Sequence, residues 1–461
     1  MAQSTPRRLA RQLDHLRASF AHQPGLPFAD LLPAEAGTAL GAAREPVYTP
    51  LVTAWLFLAQ VLDPDGSCRR AVARLLAWRS ATGRPPCAAG TGAYCKARQR
   101  LPEGGLHALV RATGRTLHDR AAPPWQWRGR RVIIVDGSTA FLPDTPANQR
   151  AYPQPDGQRP GLGFPVLRFV VLFCLATGAV LEAALCPYRG KGTGEVSLLR
   201  RVWGGLGPGD VLLGDRIYCS YFEIALLQRR GTDVVVRKHQ SRRTDFRTGG
   251  RLGRHDHRVA WAKPRRPDWL DEGAYRSLPA SLTVREVRVH VGAPGFRVRR
   301  YEVVTTLLDP AGAPAAELGA LYRQRWQAEL DLRSLKSALR MERLRCRTPA
   351  MARKELWAHL LAYNLVRGVM AQAAHEHHRA PRSVSFTGAV QTVLAFGPVL
   401  AGAAPAARAA HLRALWAALA AHRVGDRPGR VEPRALKRRR RNYPPLTEPR
   451  NHARQRLFQA A

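Results

Sequence analysis

The sequence is short of acid. Asp and Glu number 34 among 461 residues, against 73 Lys and Arg, which leaves a formal charge of +39. That is far more basic than solubility needs, and it points to a polyanionic partner, nucleic acid before anionic membrane. Long apolar runs are missing as well. Leu51 to Leu62 is interrupted by Thr53 and Gln60, is too short to span a bilayer, and suits a buried helix. Met1 to Arg17 mixes charges early and has no apolar signal core, so no export signal is expected. The seven cysteines are odd in number, scattered and without a CxxC pair, which fits reduced thiols in a cytoplasm. Apolar residues are not scarce. At 45% they exclude a disordered chain, and 461 residues are enough for two or three domains.

Residues 1 to about 125 read as helical, with Leu51, Trp55, Leu58 and Val61 at helical spacing. Thr91 to Leu101 predicts a basic helix carrying Lys96, Arg98 and Arg100 around Tyr94. It reads either as a DNA contact or as a solvated face. The character changes at Trp127. Val132 to Val135 predicts a buried strand. Val166 to Leu175 and Ala179 to Leu185 predict two more, joined by a turn at Thr177-Gly178. Val211 to Leu213 is a fourth, Ser220 to Arg230 a helix, and Asp233 to Arg237 a fifth strand. That order is an α/β core with a mixed sheet. Residues 238 to about 300 read as a β-containing insertion and Arg299 to Leu308 as a further strand. A long helix is expected over Ala315 to Arg340 and another over Lys354 to Ala374. The end is Ala-rich, then strongly basic at Lys437 to Arg441.

Two acids follow predicted strands directly: Asp136 before Gly137-Ser138, and Asp215 in Gly214-Asp215-Arg216. Strand ends in α/β sheets are where side chains meet a shared cleft. A carboxylate leaving a buried strand needs water or a cation to offset its desolvation, and two together can share hard divalent ions. Either acid alone reads first as a turn residue or helix cap after a strand. On the long predicted helix Tyr322, Arg325, Glu329 and Lys336 fall within an arc of about 60° at roughly 100° per residue. This stripe of aromatic, guanidinium, carboxylate and ammonium suits docking of a nucleic-acid backbone around one metal-binding acid. A solvated, internally paired helix face is the plain alternative.

The segment from Tyr322 to Lys336 spells Y-x2-R-x3-E-x6-K. That spacing resembles the signature of one large branch of DDE transposases from bacterial insertion sequences, the insertion sequence four family. Their acids sit in motifs like Asp136-Gly137-Ser138 and Gly214-Asp215-Arg216-Ile217-Tyr218. Further likenesses are Ala97 to Leu101, Met341 to Cys346 and Leu361 to Leu365, so the resemblance spans about residues 45 to 450. It implies an α/β fold with a ribonuclease H-like mixed sheet. That core would occupy 126–237 and 301–375 and be split by a β-rich insertion at 238–300. A helical DNA-binding region at 1–125 and a helical, basic region at 376–461 would flank it. It implies that Asp136, Asp215 and Glu329 are catalytic metal ligands for Mg²⁺, with Mn²⁺ as substitute. Tyr322, Arg325, Lys336, Arg216 and Tyr218, with Lys96, Arg98 and Arg100, are expected on DNA. The expected partners are double-stranded DNA, as terminal inverted repeats and target, and a second copy in a homodimer; no membrane partner is expected. The expected place is a bacterial cytoplasm, at the nucleoid. A related nuclease that cleaves without joining, and an inactive DNA-binding regulator, are the alternatives.

Other signals carry less. Gly190 to Glu195 looks like a phosphate loop but lacks the G-x4-G-K-[ST] spacing, and reads as a loop near DNA. His255-Asp256-His257 and His375-Glu376-His377-His378 lack the spacing of a metal site.

Overall fold

The computed structural model describes residues 39–40, 47–291, 299–425 and 446–459. The basic run at Lys437 to Arg441 lies outside them. Helices α1 (Pro50–Leu62), α2 (Cys68–Ala81), α3 (Gly92–Arg100) and α4 (Glu103–Asp119) come first. Helix α1 starts where Thr49 accepts from the Val52 amide and Pro50 supplies a helix-ready first residue. It is apolar nearly all round because it is buried nearly all round.

Then follow β1 (Val132–Phe141), α5 (Pro146–Ala151), β2 (Val166–Cys174), β3 (Val180–Pro187), α6 (Glu195–Val202) and β4 (Val211–Gly214). Next come α7 (Tyr221–Arg229), β5 (Asp233–Arg237), β6 (Gly250–Gly253), β7 (Asp256–Ala262), α8 (Glu272–Arg276), β8 (Ser281–Val291) and β9 (Arg299–Thr305). The strands form one mixed nine-stranded sheet in the order β3-β2-β1-β4-β5-β9-β8-β7-β6. Strands β1, β4 and β5 run parallel and the other pairs antiparallel. This is the α/β, ribonuclease H-like mixed core that the resemblance implies. The strands of the 238–300 stretch continue the same sheet through β9, rather than making a sheet of their own.

Successive residues of β1 feed opposite cores. Ile134 belongs to the core that also holds α1 and the C-terminal helices, while Ile133 and Val135 belong to the other, which holds Leu198, Leu199 and Val202 of α6. Both faces are covered, which is why the strand is written as a continuous apolar run. Helix α6 was not expected from the sequence; it lies in the β3–β4 connection and packs on β2 and β3.

Helices α9 (Ala315–Gln324), α10 (Trp326–Arg333), α11 (Pro349–Glu376), α12 (Phe386–Gly402), α13 (Pro405–Ala421) and α14 (Arg450–Gln459) complete the chain. Helix α11 is the spine: it packs on α1, α4, α12 and α13. Its Asn364 is fully buried, accepts from the Val180 amide at 2.7 Å, and donates to the Val180 and Val110 carbonyls at 2.8 and 3.1 Å. One side chain thus stitches β3, α4 and α11 together, satisfying edge groups that burial would otherwise leave unpaired. All seven cysteines are free.

Candidate active site

Asp136 is the fifth residue of β1, not the residue after it. The register explains how a carboxylate is tolerated there. Strand β4 accompanies only Val132 to Ile134 and ends at Gly214, whereas β2 pairs along β1 as far as Phe141. Beyond Ile134 the strand has lost its parallel neighbour, and Asp136 lies at that split. Asp215 follows β4 and caps a short turn over 216–218, accepting from the Arg216 amide at 2.7 Å. Both acids therefore stand where one parallel pair ends, the usual place for a cleft in an α/β sheet.

Glu329 arrives on α10, which packs against β1. Two residues on, and about 200° around the helix, Asp331 is fully buried. Its carboxylate accepts from Arg382 Nη1 at 2.6 and 2.7 Å and from Arg367 of α11. Arg382 also donates to the carbonyls of Leu175 and Cys174 at the end of β2, at 2.7 and 3.1 Å. This buried cluster fixes the rotation of α10 and leaves Glu329 37% exposed on the other side.

The stripe is not one straight helix. Helix α9 closes at Gln324, Arg325 sits in a tight turn with its amide bonded to the Tyr322 carbonyl, and Ser334 to Ala338 widen into a π-helical turn. Such turns re-aim side chains and gather at functional sites. Arg325 donates to Glu329 Oε1 at 2.8 Å. Tyr322 is only 5% exposed and packs edge-on against Tyr301, so it supports the wall of the site and does not stand out from it. Lys336 leaves the π turn into a cavity of about 480 Å³ that Arg340, Arg343, Arg345, Glu355 and His359 also line.

Two more residues expected on DNA are buried. Arg98 is buried, donates to Gln60 Oε1 at 3.2 Å and stacks over Phe57 and Tyr94; its charge holds α3 to α1. Tyr218 is buried beneath Gly214 and its hydroxyl donates to Glu195 Oε2 at 3.5 Å. Burial first, then Glu195, Asp136 and Asp215, push its phenol well above the usual range, so it stays a neutral donor. Arg216, Lys96 and Arg100 are exposed.

Glu195 is the residue that sequence reading missed. It opens α6 and reaches Gly137: a Cβ there would meet the Glu195 carboxyl carbon at 2.5 Å. The Gly-rich segment before it is an exposed loop, anchored where Arg168 donates to the Thr193 carbonyl at 2.7 Å. The signal was available in Leu198, Leu199 and Val202, which form an apolar helical face after a glycine.

These acids share one field. Burial pushes the Asp136 carboxyl up to about 6; the Gly137 amide and Arg325 draw it down, while Glu195 and Glu329 raise it further. Oxygen donors with negative charge in excess suit a hard divalent cation. Among the described residues no three His, Cys, Asp or Glu side chains yet converge closely enough to hold one. Glu329 is held by Arg325 instead. The histidine clusters do not compete for the role. Asp256 pairs with the buried Arg285, His257 bonds the Thr248 carbonyl, and His375, His377 and His378 are exposed.

The transposase DDE domain family matches residues 127–365, more than half of the chain. The chain belongs to that family. Over 365 residues it is 27% identical to the transposase InsG for insertion sequence element IS4 of Escherichia coli strain K12, covering 76% of this chain and 77% of that protein. A solved piggyBac transposase synaptic complex with hairpin DNA overlaps 80% of this chain and 76% of that one at a TM-score of 0.39 and 10% identity, a likeness too distant to argue from. The protein is thus a transposase enzyme, of a family whose chemistry depends on divalent metal. Among the described residues of this transposase, no helix is long and apolar enough to cross a membrane.

Proposed function

We propose that this transposase cuts DNA at the ends of its insertion sequence and joins the freed 3′-hydroxyls to target DNA, at a site formed by Asp136, Asp215 and Glu329. The observation that carries the reading is the placement of Asp136 and Asp215 at the end of one parallel strand pair, with Glu329 brought to β1 by α10. Asp136 and Asp215 would hold Mg²⁺, and Glu329 would join them on release from Arg325. When bound, Mg²⁺ (or Mn²⁺) activates the attacking oxygen and neutralises charge on the phosphate and leaving oxygen. The side chains are then ligands, not proton relays. Arg325, freed from Glu329, is placed to pair with a phosphate. Lys336 supplies a second cation, and the exposed Arg216, Lys96 and Arg100 offer further backbone contacts. The DNA partners are the terminal inverted repeats and the target duplex, and the working unit is a homodimer that pairs the two ends.

Incubation of the purified protein with labelled element ends, a target plasmid and Mg²⁺ tests this. Cleaved ends covalently joined to plasmid are expected. Cleavage without joined product would assign a nuclease, and binding without cleavage an inactive regulator. Lys336→Ala is expected to weaken end binding and to flatten the dependence of log affinity on log salt by about one unit. An unchanged salt slope in filter binding would remove Lys336 from the phosphate contacts.

A further inference from the structure

The non-acidic members of the two acid motifs converge on one side chain. Gly137, next to Asp136, lacks the Cβ that would strike Glu195 Cδ, Oε1 and Cγ at 2.5, 2.8 and 2.9 Å. Tyr218, three residues after Asp215, turns its hydroxyl back to Glu195 Oε2. The carboxylate of Glu195 is therefore wedged between the two strand-end motifs, carried there by a loop that is itself pinned to β2 through Arg168 and Thr193.

Its partners are too weak for its setting. Glu195 is half-buried, and among the described residues its carboxylate has one hydrogen bond, the long one from Tyr218. Asp136 and Asp215, also half-buried, accept among the described residues only from the backbone amides that follow them. Among the described residues, three carboxylates thus face one region with no ammonium or guanidinium in ion-pair contact with any of them. Glu329 already has Arg325. Half-buried carboxylates left in this way are costly unless a cation joins them. The charge balance points the same way. Asp136, Asp215 and Glu329 bring three negative charges, fewer than two divalent ions carry, and a further carboxylate reduces the excess.

Resting on the proposed metal-dependent reading, we infer that Glu195 is a fourth acid of the site, adding its carboxylate to the cation-binding set of Asp136 and Asp215 from the α6 side of the sheet. Gly137 is then required for space, and Tyr218 orients Glu195 as a positioning residue.

The test is direct Mn²⁺ binding to the full-length protein without DNA, followed by electron paramagnetic resonance, for wild type, Glu195→Gln and Asp136→Asn. Thermal melting of each checks the fold. Glu195→Gln is expected to weaken Mn²⁺ binding by about 10-fold or more with melting unchanged, and Asp136→Asn to weaken it at least as much. If Glu195→Gln fails to fold, Glu195→Asp replaces it; the shortened carboxylate is expected to weaken binding while keeping the fold. Wild-type affinity in the Glu195 variant, with loss in Asp136→Asn, would reject the fourth acid and leave the three-acid reading intact. Wild-type affinity in both variants, or no binding by the wild type, would overturn the three-acid reading together with this inference.

Discussion

Asp136→Asn is expected to lower the rate of end cleavage by at least about a thousandfold, roughly 4 kcal/mol of transition-state stabilisation, while end binding in a gel-shift assay stays within about twofold. Asn keeps the shape and the acceptor that receives the Gly137 amide at 2.9 Å, so the strand split at which it sits is preserved. It removes the charge, and with it one metal ligand. The same carboxyl predicts the pH behaviour of the wild type. Its ordinary value is raised to about 6, mainly by burial. A cation binding below that pH must displace a proton, so metal affinity should fall by about tenfold per pH unit below about 6 and level off above it. The sign follows from the raised value: the folded protein favours the protonated acid, and binding the ion opposes that preference. Asp136→Asn should abolish this proton-coupled step along with the activity. Cleavage at the wild-type rate in the Asn variant would remove Asp136 from the chemistry.

Different parts of this site were legible for different reasons. Asp136 and Asp215 could be picked out because a continuous apolar run marks a strand covered on both faces, and because the motifs around both acids, not either acid alone, carry the family resemblance. Glu329 could be read because its neighbours are spaced like a helix face. That spacing assumed one unbroken helix. The turn at Arg325 and the π turn at Ser334 to Ala338 arise from packing that no local pattern records. The same holds for Arg98. Nothing near it in the chain distinguishes a basic helix facing DNA from one whose arginine is buried against Gln60, 38 residues away. Tyr322 and Tyr218 belong to the motifs in sequence but line the wall behind the acids in space. Glu195 was hidden by its segment, whose glycines imitate a phosphate loop. Its significance exists only through its approach to Gly137, a contact across more than fifty residues of sequence. The strands of the 238–300 stretch were readable as strands, while their continuation of the core sheet depends on pairing through β9.

The second large effect lies behind Glu329 and concerns stability. Asp331→Ala is expected to destabilise the protein by about 3–5 kcal/mol, the cost of leaving buried charge without its partner. Asp331 is fully buried and is shared by Arg367 and Arg382, which are themselves 6% and 14% exposed. Removing the carboxylate leaves two guanidinium groups facing each other beside Tyr363, with Arg367 still bonded to the Tyr363 hydroxyl at 2.9 Å. Arg382 keeps its carbonyl partners at the end of β2, but its link to α10 is gone. The helix then has no polar key to set its rotation. Leu332 and Leu335 remain as apolar anchors, and these hold a helix down without fixing its azimuth as tightly. Loss of cleavage is therefore expected even at temperatures where Asp331→Ala remains folded, because Glu329 sits on the opposite side of the same helix. Thermal melting and end cleavage measured on one preparation separate the two effects. A double variant, Asp331→Leu with Arg382→Met, should recover part of the stability by removing the uncompensated charge while leaving cleavage impaired. If Asp331→Ala melts like the wild type and cleaves at its rate, the buried cluster is not what presents Glu329 to β1.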